Sequence, residues 1–361
     1  MTTTEILDQL KQVTDPHTGG DIVSRSMVEE LRIDGNNVNF TLVLPSLSSE
    51  HKQELNFACM RVIQDKFPSA NVNLHLTARA PGAAATASVL PQVKNIIAVG
   101  SGKGGVGKST VSTNLALALK ELGARVGLID ADLHGPSIPT MFGMQGQRPK
   151  MKDVYGKPRL EPLERYGMPV MSIGFIIEAD HAVVLRGPRL AGILKQFLTD
   201  TIWPDLDYLV IDLPPGTGDI QLSLVQTVPV TGAVLVTTPQ EVAVADAIKA
   251  MNMFRLPNIN IPIVGVVENM SWFTPAELPN NKYYLFGQGG GKQLTRQAGS
   301  VLLGQIPLVQ GIREAGDAGK PIVLQENHAG REAFMAVARK LVAQVNLRNE
   351  MLGPTQRVQV S

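Results

Sequence analysis

The feature that most constrains this chain is the stretch of residues 95–110, NIIAVGSGKGGVGKST. It begins with an apolar run, Ile96–Val99, which is typical of a buried strand, and it continues into a glycine-rich loop. The spacing of Gly102, Gly107 and the lysine and serine that follow matches a P-loop, in which a strand, a phosphate-binding loop and a helix succeed each other. The sequence therefore predicts an α/β domain that binds a nucleotide by its phosphates.

The residue types in this loop explain how it would hold phosphate. Glycine has no Cβ atom, so the backbone can curl around a phosphate with its N–H groups pointing inward. Lys108 can reach the β- and γ-phosphates, and the Ser109 hydroxyl can bind Mg²⁺. The predicted nucleotide-binding residues of the loop are consecutive: Gly102, Lys103, Gly104, Gly105, Val106, Gly107, Lys108, Ser109 and Thr110.

Apolar runs typical of buried strands recur after the P-loop and alternate with helical stretches. Together with the first run they are Ile96–Val99, Val126–Ile129, Tyr208–Ile211, Ala233–Val236 and Ile263–Val267. Apolar strands that alternate with helices indicate a parallel sheet covered on both faces. We therefore expect residues 93–361 to form a doubly wound, mostly parallel sheet with its ligand at the carboxyl ends of the strands.

The region before the P-loop has a different organisation. Residues 1–78 are predicted to form a small α/β domain with the order helix, strand, strand, helix, strand, and Thr4 is the predicted cap of the first helix. Residues 79–92 include the run APGAAATAS, which is small and uncharged. We interpret them as a flexible linker between two domains.

Carboxylates follow two of the predicted strands of the second domain. Asp130 and Asp132 come after the strand that follows the P-loop helix, and Asp212 ends a later strand. Carboxylates at this edge can act on Mg²⁺ and its waters or on an attacking water. We predict a Mg²⁺ site made by Ser109, Asp130 and Asp212.

A proline- and glycine-rich segment, LPPGTGD, follows Asp212 directly. A run of this composition after a buried strand is hard to explain as an ordinary turn. We predict that Pro215 and Gly216 form a switch, in which the Gly216 backbone senses the γ-phosphate.

One residue of the P-loop narrows the class of protein. Lys103 is a second lysine, and the run KGGVGKS resembles the deviant P-loop of ATPases that include the nitrogenase iron protein, division-site and partition ATPases and iron–sulfur cluster carriers. The resemblance implies that Lys103 reaches across a homodimer to the partner's nucleotide and offsets charge on the transferred phosphoryl group. The alternative for Lys103 is a solvated lysine on the rim of the loop.

The same resemblance assigns two further residues. It implies that Asp132 positions or activates the attacking water and that Asn269 reads the adenine edge through its amide. The structural alternatives are a cap on the following turn for Asp132 and a turn asparagine for Asn269.

The motifs of the second domain also occur in a characteristic order. They are DADLHGPS at 130–137, RGP at 186–188, DLPPGTGD at 212–219, ENMS at 268–271 and REAGD at 313–317. This order resembles the Mrp/ApbC-type iron–sulfur cluster carrier ATPases, and residues 1–78 resemble the small domain of assembly factors of the MIP-eighteen type. The resemblance implies a homodimeric cytosolic ATPase that uses ATP and Mg²⁺ and carries a [4Fe–4S] cluster to apoprotein clients.

The chain departs from that family at the expected cluster ligands. Family members typically have a Cys-x-x-Cys pair shortly after the ENMS segment, whereas residues 272–287 of this sequence contain no cysteine. Cluster irons are normally held by the thiolates of four cysteines. Cys59 is the only cysteine in the sequence and lies on an apolar helical face, which favours a buried, inert thiol. The ligands of a cluster are therefore left unassigned.

Composition and charge narrow the possible functions. The formal net charge of +1 provides no electrostatic footprint for nucleic acid, and no apolar run is long enough to span a bilayer. A single cysteine and an N-terminus without signal-peptide features fit a cytoplasmic protein. Two other functions stay open. One is a cluster-free ATPase scaffold or chaperone. The other is a partition or positioning ATPase, which would need a membrane-binding helix or a basic surface.

Overall fold

The computed structural model describes residues 1–16, 19–25, 27–44, 52–78, 90–132, 135–154, 156–176, 187–218, 228–257, 259–275, 277–326 and 328–352. Most of the predicted linker, residues 79–89, lies outside the described residues, as do parts of the DADLHGPS, RGP and DLPPGTGD motifs. The chain forms two compact units. The N-terminal unit comprises Met1–Gln92, Lys150–Glu161 and Asp200–Asp205, and the P-loop unit comprises the remaining residues.

The described residues of both units form helices and strands. In chain order they are α1 (Thr3–Leu10), β1 (Val28–Asp34), β2 (Asn37–Leu44), α2 (Lys52–Lys66), β3 (Asn71–Ala78), β4 (Val93–Gly100), α3 (Lys108–Glu121), β5 (Val126–Asp130), α4 (Ile138–Met141), β6 (Lys150–Val154), β7 (Lys157–Glu161), β8 (Leu163–Arg165), β9 (Met168–Ser172), α5 (Gly187–Thr199), β10 (Leu206–Asp212), β11 (Gly232–Thr237), α6 (Glu241–Phe254), β12 (Ile263–Glu268), α7 (Gly290–Ala298), β13 (Leu302–Gln305), α8 (Gln310–Asp317) and α9 (Ala329–Met351).

The N-terminal unit has the predicted order of elements around a three-stranded sheet. β1 pairs antiparallel with β2, and β2 pairs parallel with β3. The prediction that Thr4 caps α1 is wrong, because Thr2 is the cap: its hydroxyl accepts from the Glu5 N–H at 3.3 Å, and the Glu5 carboxylate accepts from the Thr2 N–H at 2.8 Å. This reciprocal capping box needs a threonine three residues before a glutamate, a spacing that Thr2 has and Thr4 lacks.

The apolar core of the N-terminal unit lies between its two helices and its sheet. Leu10 of α1 and Cys59 and Ile63 of α2 are fully buried in one cluster with Leu42 of β2. Val154 of the hairpin formed by β6 and β7 belongs to the same cluster. The sequence assigns this hairpin to the second domain, whereas the structure places it in the N-terminal unit.

The P-loop unit is built on an eight-stranded sheet with the order β13-β12-β11-β4-β10-β5-β9-β8. Every pair of neighbours is parallel except β8 and β9, which are antiparallel. The expected doubly wound, mostly parallel sheet is therefore confirmed. The sequence misses three of its strands, β8, β9 and β13, which are only three to five residues long.

The sheet order brings the motifs to one edge. β4, which precedes the P-loop, lies between β10 and β11, and β5 lies on the other side of β10. Because these strands are parallel, their carboxyl ends share an edge, where Asp130 ends β5 and Asp212 ends β10. Among the described residues, no helix is both long and apolar enough to cross a bilayer.

Candidate functional site

The glycines of the P-loop are required for different reasons. Gly105 and Gly107 have φ angles of +81° and +80°, a left-handed conformation that only glycine adopts without strain. Gly102 is constrained by packing instead, since a Cβ atom there would overlap the backbone of Asp246 and Ala247 in α6. A Cβ on Gly104 would meet open space. The loop is thus shaped by conformation at two glycines and held against α6 at a third.

Lys108, the first residue of α3, is buried among carboxylates. The side chain is 5% exposed, and its Nζ lies 2.8 Å from Asp212 Oδ2 and 3.5 Å from Asp132 Oδ2. A buried ammonium is costly unless it is paired. The two carboxylates supply that pairing, and they fix the lysine at the carboxyl edge of the sheet.

Asp212 is fully buried and accepts two serine hydroxyl bonds. Ser109 Oγ donates to Asp212 Oδ2 at 2.7 Å, and Ser112 Oγ donates to Asp212 Oδ1 at 2.6 Å. The sequence predicts a role for Ser109 and misses Ser112. Ser112 stands four residues after Lys108 on α3, a spacing that places both on one helix face and could have indicated it.

Asp130 is the second fully buried carboxylate of the predicted Mg²⁺ site. It accepts from Ser172 Oγ at 3.0 Å and from the N–H groups of Asp132 and Ile138 at 3.1 and 3.2 Å. Burial, and secondarily the nearby charge of Asp212, raises the pKa of Asp130 to about 7. Both effects disfavour the ionised form of this carboxylate.

The oxygen donors at this edge suit a hard divalent cation. Ser109 Oγ and Asp212 Oδ2 are 2.7 Å apart, and hydroxyl and carboxylate oxygens are the ligands that Mg²⁺ prefers. Within the described part of the chain, no group of three or more His, Cys, Asp and Glu side chains could hold a metal ion by itself. These residues therefore fit a Mg²⁺ ion that completes its coordination with phosphate oxygens and water.

The two residues predicted to act in catalysis occupy different environments. Asp132 is 8% exposed, with its carboxylate beside the Lys108 ammonium. Lys103 is partly exposed, and its carbonyl accepts from Ser101 Oγ at 3.0 Å. None of the ion pairs between described residues includes Lys103. Both catalytic roles stay predictions.

The predicted switch is bonded to the start of the P-loop. Gly216 has a φ of +94°, and its N–H donates to the Ser101 carbonyl at 2.9 Å. Pro215 immediately precedes it and is partly buried. The amide that is predicted to sense the γ-phosphate therefore has a protein acceptor in this structure, which it would have to exchange for a phosphate oxygen.

Asn269 follows β12 and contacts the P-loop directly. The side chain is 6% exposed, and its Nδ2 donates to the Val106 carbonyl at 2.9 Å. A Cβ atom on Gly107 would overlap this amide nitrogen. Asn269 also lines a cavity beside the loop. Its predicted contact with adenine stays a prediction, and its contact with the P-loop is an additional role that the sequence does not indicate.

The cavity beside the P-loop has a volume of about 710 Å³. Its lining includes Gly107 and Thr110 of the P-loop, apolar side chains such as Leu308 and Ile312, and Arg313 from the REAGD motif. A mostly apolar cleft of this size with a few polar groups is typical of a small-molecule site. The sequence gives REAGD no role, and the structure places it in the cavity wall.

Cys59 lies in the core of the N-terminal unit. The side chain is fully buried, and burial raises the pKa of its thiol to about 12. The thiolate is the form that binds iron, so this thiol is poorly suited to be a cluster ligand. The prediction of a buried, inert thiol agrees with these observations.

Comparisons with known proteins give consistent matches. The family model described as NUBPL iron-transfer P-loop NTPase matches residues 92–342, and the model described as iron-sulfur cluster assembly protein matches residues 3–58. The chain is 42% identical over 350 residues to the iron-sulfur cluster carrier protein of Synechocystis sp.. The matched region covers 96% of this chain and 99% of that protein. It is 43% identical over 348 residues to the protein of the same name from Deinococcus radiodurans, with 95% of each chain covered.

A solved structure gives a related match. This chain is similar to a nucleotide-binding protein from Archaeoglobus fulgidus in complex with ADP, with 36% identity and a TM-score of 0.57. The match covers 68% of this chain and 93% of that one.

Proposed function

The chain belongs to the NUBPL iron-transfer P-loop NTPase family, and on that premise we propose that it hydrolyses ATP and carries [4Fe–4S] clusters to apoproteins. One observation carries the nucleotide half of the proposal: the P-loop lysine lies against Asp212 and Asp132, beside a cavity of about 710 Å³. The carrier half is supported by relatives that match nearly the whole chain and are named iron-sulfur cluster carrier proteins.

The hydrolysis follows from the residues at the sheet edge. The P-loop N–H groups and Lys108 bind the β- and γ-phosphates. Ser109 and Asp212, with Asp130 beside them, would hold Mg²⁺, which neutralises charge on the phosphate oxygens when bound. Asp132 orients a water molecule and accepts its proton as the water oxygen attacks the γ-phosphorus and the bond to the β–γ bridging oxygen breaks.

We also infer that the active form is a homodimer in the cytoplasm. Lys103 is partly exposed and forms no ion pair with a described residue, which leaves its ammonium available to a nucleotide in a second copy. The presence of a single cysteine supports a reducing compartment.

A second function is favoured by the environment of Cys59. A fully buried thiol with a raised pKa, and a segment 272–287 without cysteine, favour a cluster-free ATPase that acts as a scaffold or chaperone for assembly. The carrier proposal then requires ligands from outside the chain, such as a small thiol or a client cysteine.

Anaerobic reconstitution distinguishes the two functions. Iron and sulfide would be quantified per dimer in the native chain and in Cys59→Ala, each with and without glutathione, and Mg-ATP hydrolysis would be measured on the same samples. The carrier proposal predicts a glutathione-dependent cluster in both proteins and its transfer to an apo-ferredoxin. Working hydrolysis with no cluster under any condition would overturn the carrier proposal and support the scaffold.

A further inference from the structure

The last residue of β12, Glu268, is a buried carboxylate that precedes the turn formed by residues 269–271 and has no assigned part in the hydrolysis of ATP. Glu268 is 1% exposed. Its Oε1 accepts from Ser271 Oγ at 2.9 Å and from Gln305 Nε2 at 2.6 Å, and its Oε2 accepts from the Gly291 N–H at 2.6 Å. A buried carboxylate is stable when several donors satisfy its oxygens. The Gln305 amide and the Gly291 N–H do so at Glu268, together with the Ser271 hydroxyl, which is shared with the Glu268 main-chain carbonyl at 2.8 Å.

These bonds fix the position of the turn. Gln305 ends β13 and Gly291 lies in the first turn of α7, so that Glu268 joins two elements that are remote in sequence from β12. The approach is close, because a Cβ atom on Gly291 would lie 2.8 Å from the Glu268 Cβ. Met270 in the same turn has a φ of +53°, a conformation that surrounding contacts must enforce in a non-glycine residue.

The turn that Glu268 fixes is the one that contacts the P-loop. Asn269 is the next residue, and its N–H donates to the Thr237 carbonyl at 2.8 Å. Its side-chain amide donates to the Val106 carbonyl at 2.9 Å and leaves no room for a Cβ on Gly107. A shift of the turn would therefore move the support of the phosphate-binding backbone.

We propose that Glu268 is a positioning residue for nucleotide binding, which acts by holding Asn269 against the P-loop at Val106. The inference rests on the proposed ATPase function. Since the support acts on the phosphate-binding loop, loss of Glu268 weakens binding of the phosphate chain whether or not a base is attached. The chemical step at saturating ATP is affected much less, because Glu268 does not touch the reacting atoms.

Glu268→Gln in the full chain tests this inference. Glutamine is nearly isosteric, but its amide has a single acceptor oxygen and cannot satisfy all three donors. The binding of Mg-ADP and Mg-pyrophosphate would be measured by calorimetry, and KM and kcat for ATP would be measured separately. We expect both dissociation constants and KM to rise about tenfold, as the loss of one well-formed buried hydrogen bond allows, while kcat changes less than about threefold.

Two further variants keep the test decisive. Ser271→Ala removes one of the three donors and should raise the dissociation constants about threefold, even if Glu268→Gln does not fold. Asp207→Asn alters a carboxylate at the opposite end of β10, where it is bonded to Arg125 and Lys94, and should lower stability without changing affinity.

Three results would overturn the inference. Affinities within twofold of the native value in both Glu268→Gln and Ser271→Ala would reduce Glu268 to a structural residue. Weaker ADP binding with unchanged pyrophosphate binding would place its effect on the base pocket. A fall in kcat at unchanged KM would mean that Glu268 acts on the chemical step. Failure of the proposed function is a different result, because the native chain itself would then neither bind nor hydrolyse nucleotide.

Discussion

The two units bury charge very differently. Among the described residues of the N-terminal unit, Asp15 is the sole acidic residue that is buried as a whole, whereas Asp130, Asp132, Asp212 and Glu268 are all buried in the P-loop unit, at or just after strand ends. Burying a carboxylate is unfavourable even when it is paired. The concentration of buried carboxylates at one sheet edge is therefore better explained by nucleotide binding and hydrolysis than by stability.

The sheets of the two units also differ in how polar their faces are. The N-terminal sheet has an exposed polar face, on which Asn71 bonds to Asn37 and Asn73 bonds to Asn39 across neighbouring strands. The central strands of the P-loop unit are buried on both faces and show almost continuous apolar sequences. We expect substitutions in the N-terminal unit to alter stability and substitutions at the P-loop edge to alter turnover.

The largest effect is expected for Asp132→Asn. Loss of the carboxylate that orients and deprotonates water should lower kcat more than about a hundredfold, while the ATP dissociation constant stays within about threefold. Single-turnover hydrolysis and calorimetry measure the two quantities, with Asp207→Asn as the matched carboxylate control. Equal losses of binding and turnover would contradict the assignment of Asp132 to the chemical step.

Lys103→Ala should lower turnover by about a hundredfold or more, because it removes a cation that acts on the transferred phosphoryl group. Mixing this variant with Lys108→Ala tests whether the lysine acts across a dimer. In a mixed dimer one site keeps its own Lys108 and receives Lys103 from the other copy, so part of the activity should return. Full activity of Lys103→Ala alone would end the catalytic role.

A pair of glycine substitutions in the P-loop compares a closely packed position with an open one. Gly102→Ala should lower the free energy of unfolding by about 3 kcal/mol, because the new Cβ overlaps the backbone of α6. Gly104→Ala should leave it within about 0.5 kcal/mol, since that Cβ meets open space. Urea titrations followed by circular dichroism compare the two. Equal stability of both variants would show that α6 yields to the added methyl group.

Cys59→Ala should leave ATP turnover unchanged. Loss of the buried sulfur should lower the free energy of unfolding by about 1 kcal/mol. The pH dependence gives a sharper readout. The folded thiol has its pKa raised from 9.0 to about 12, so its contribution to stability is complete below pH 9 and is lost between pH 9 and 12.

The alanine variant should lack that part of the alkaline decline in stability. Urea midpoints of both proteins from pH 8 to 11 measure the difference. A loss of ATP turnover in Cys59→Ala would break the contrast between the two units, since it would link the N-terminal core to the chemistry of the P-loop unit.

The sequence predicts the parts of the fold that rest on local signals. A buried parallel strand such as β10 is an apolar run, and a P-loop needs its glycines. Both can therefore be predicted from the sequence alone. The hairpin of β6 and β7 cannot, because KMKDV and KPRLE carry no apolar alternation. It owes its place to the burial of Val154 in a core made by distant residues.

The candidate site shows the same division. Lys108, Asp130 and Asp212 belong to motifs and are predictable from spacing. The role inferred for Glu268 depends on Gln305 and Gly291, which lie 37 and 23 residues further along the chain and give no local signal. Residues that act through remote partners become visible only once the fold brings them together.

The discontinuity of the N-terminal unit has a practical consequence for protein engineering. A truncation that removes residues 1–92 would remove only part of the N-terminal unit. The truncated chain would still contain Lys150–Glu161 and Asp200–Asp205, which belong to that unit. Val154 and Ile202 would lose the apolar neighbours that cover them. Poor solubility or proteolytic cleavage of such a truncated protein would then result from the apolar surface that the truncation exposes. It would say nothing about client recognition by the missing residues.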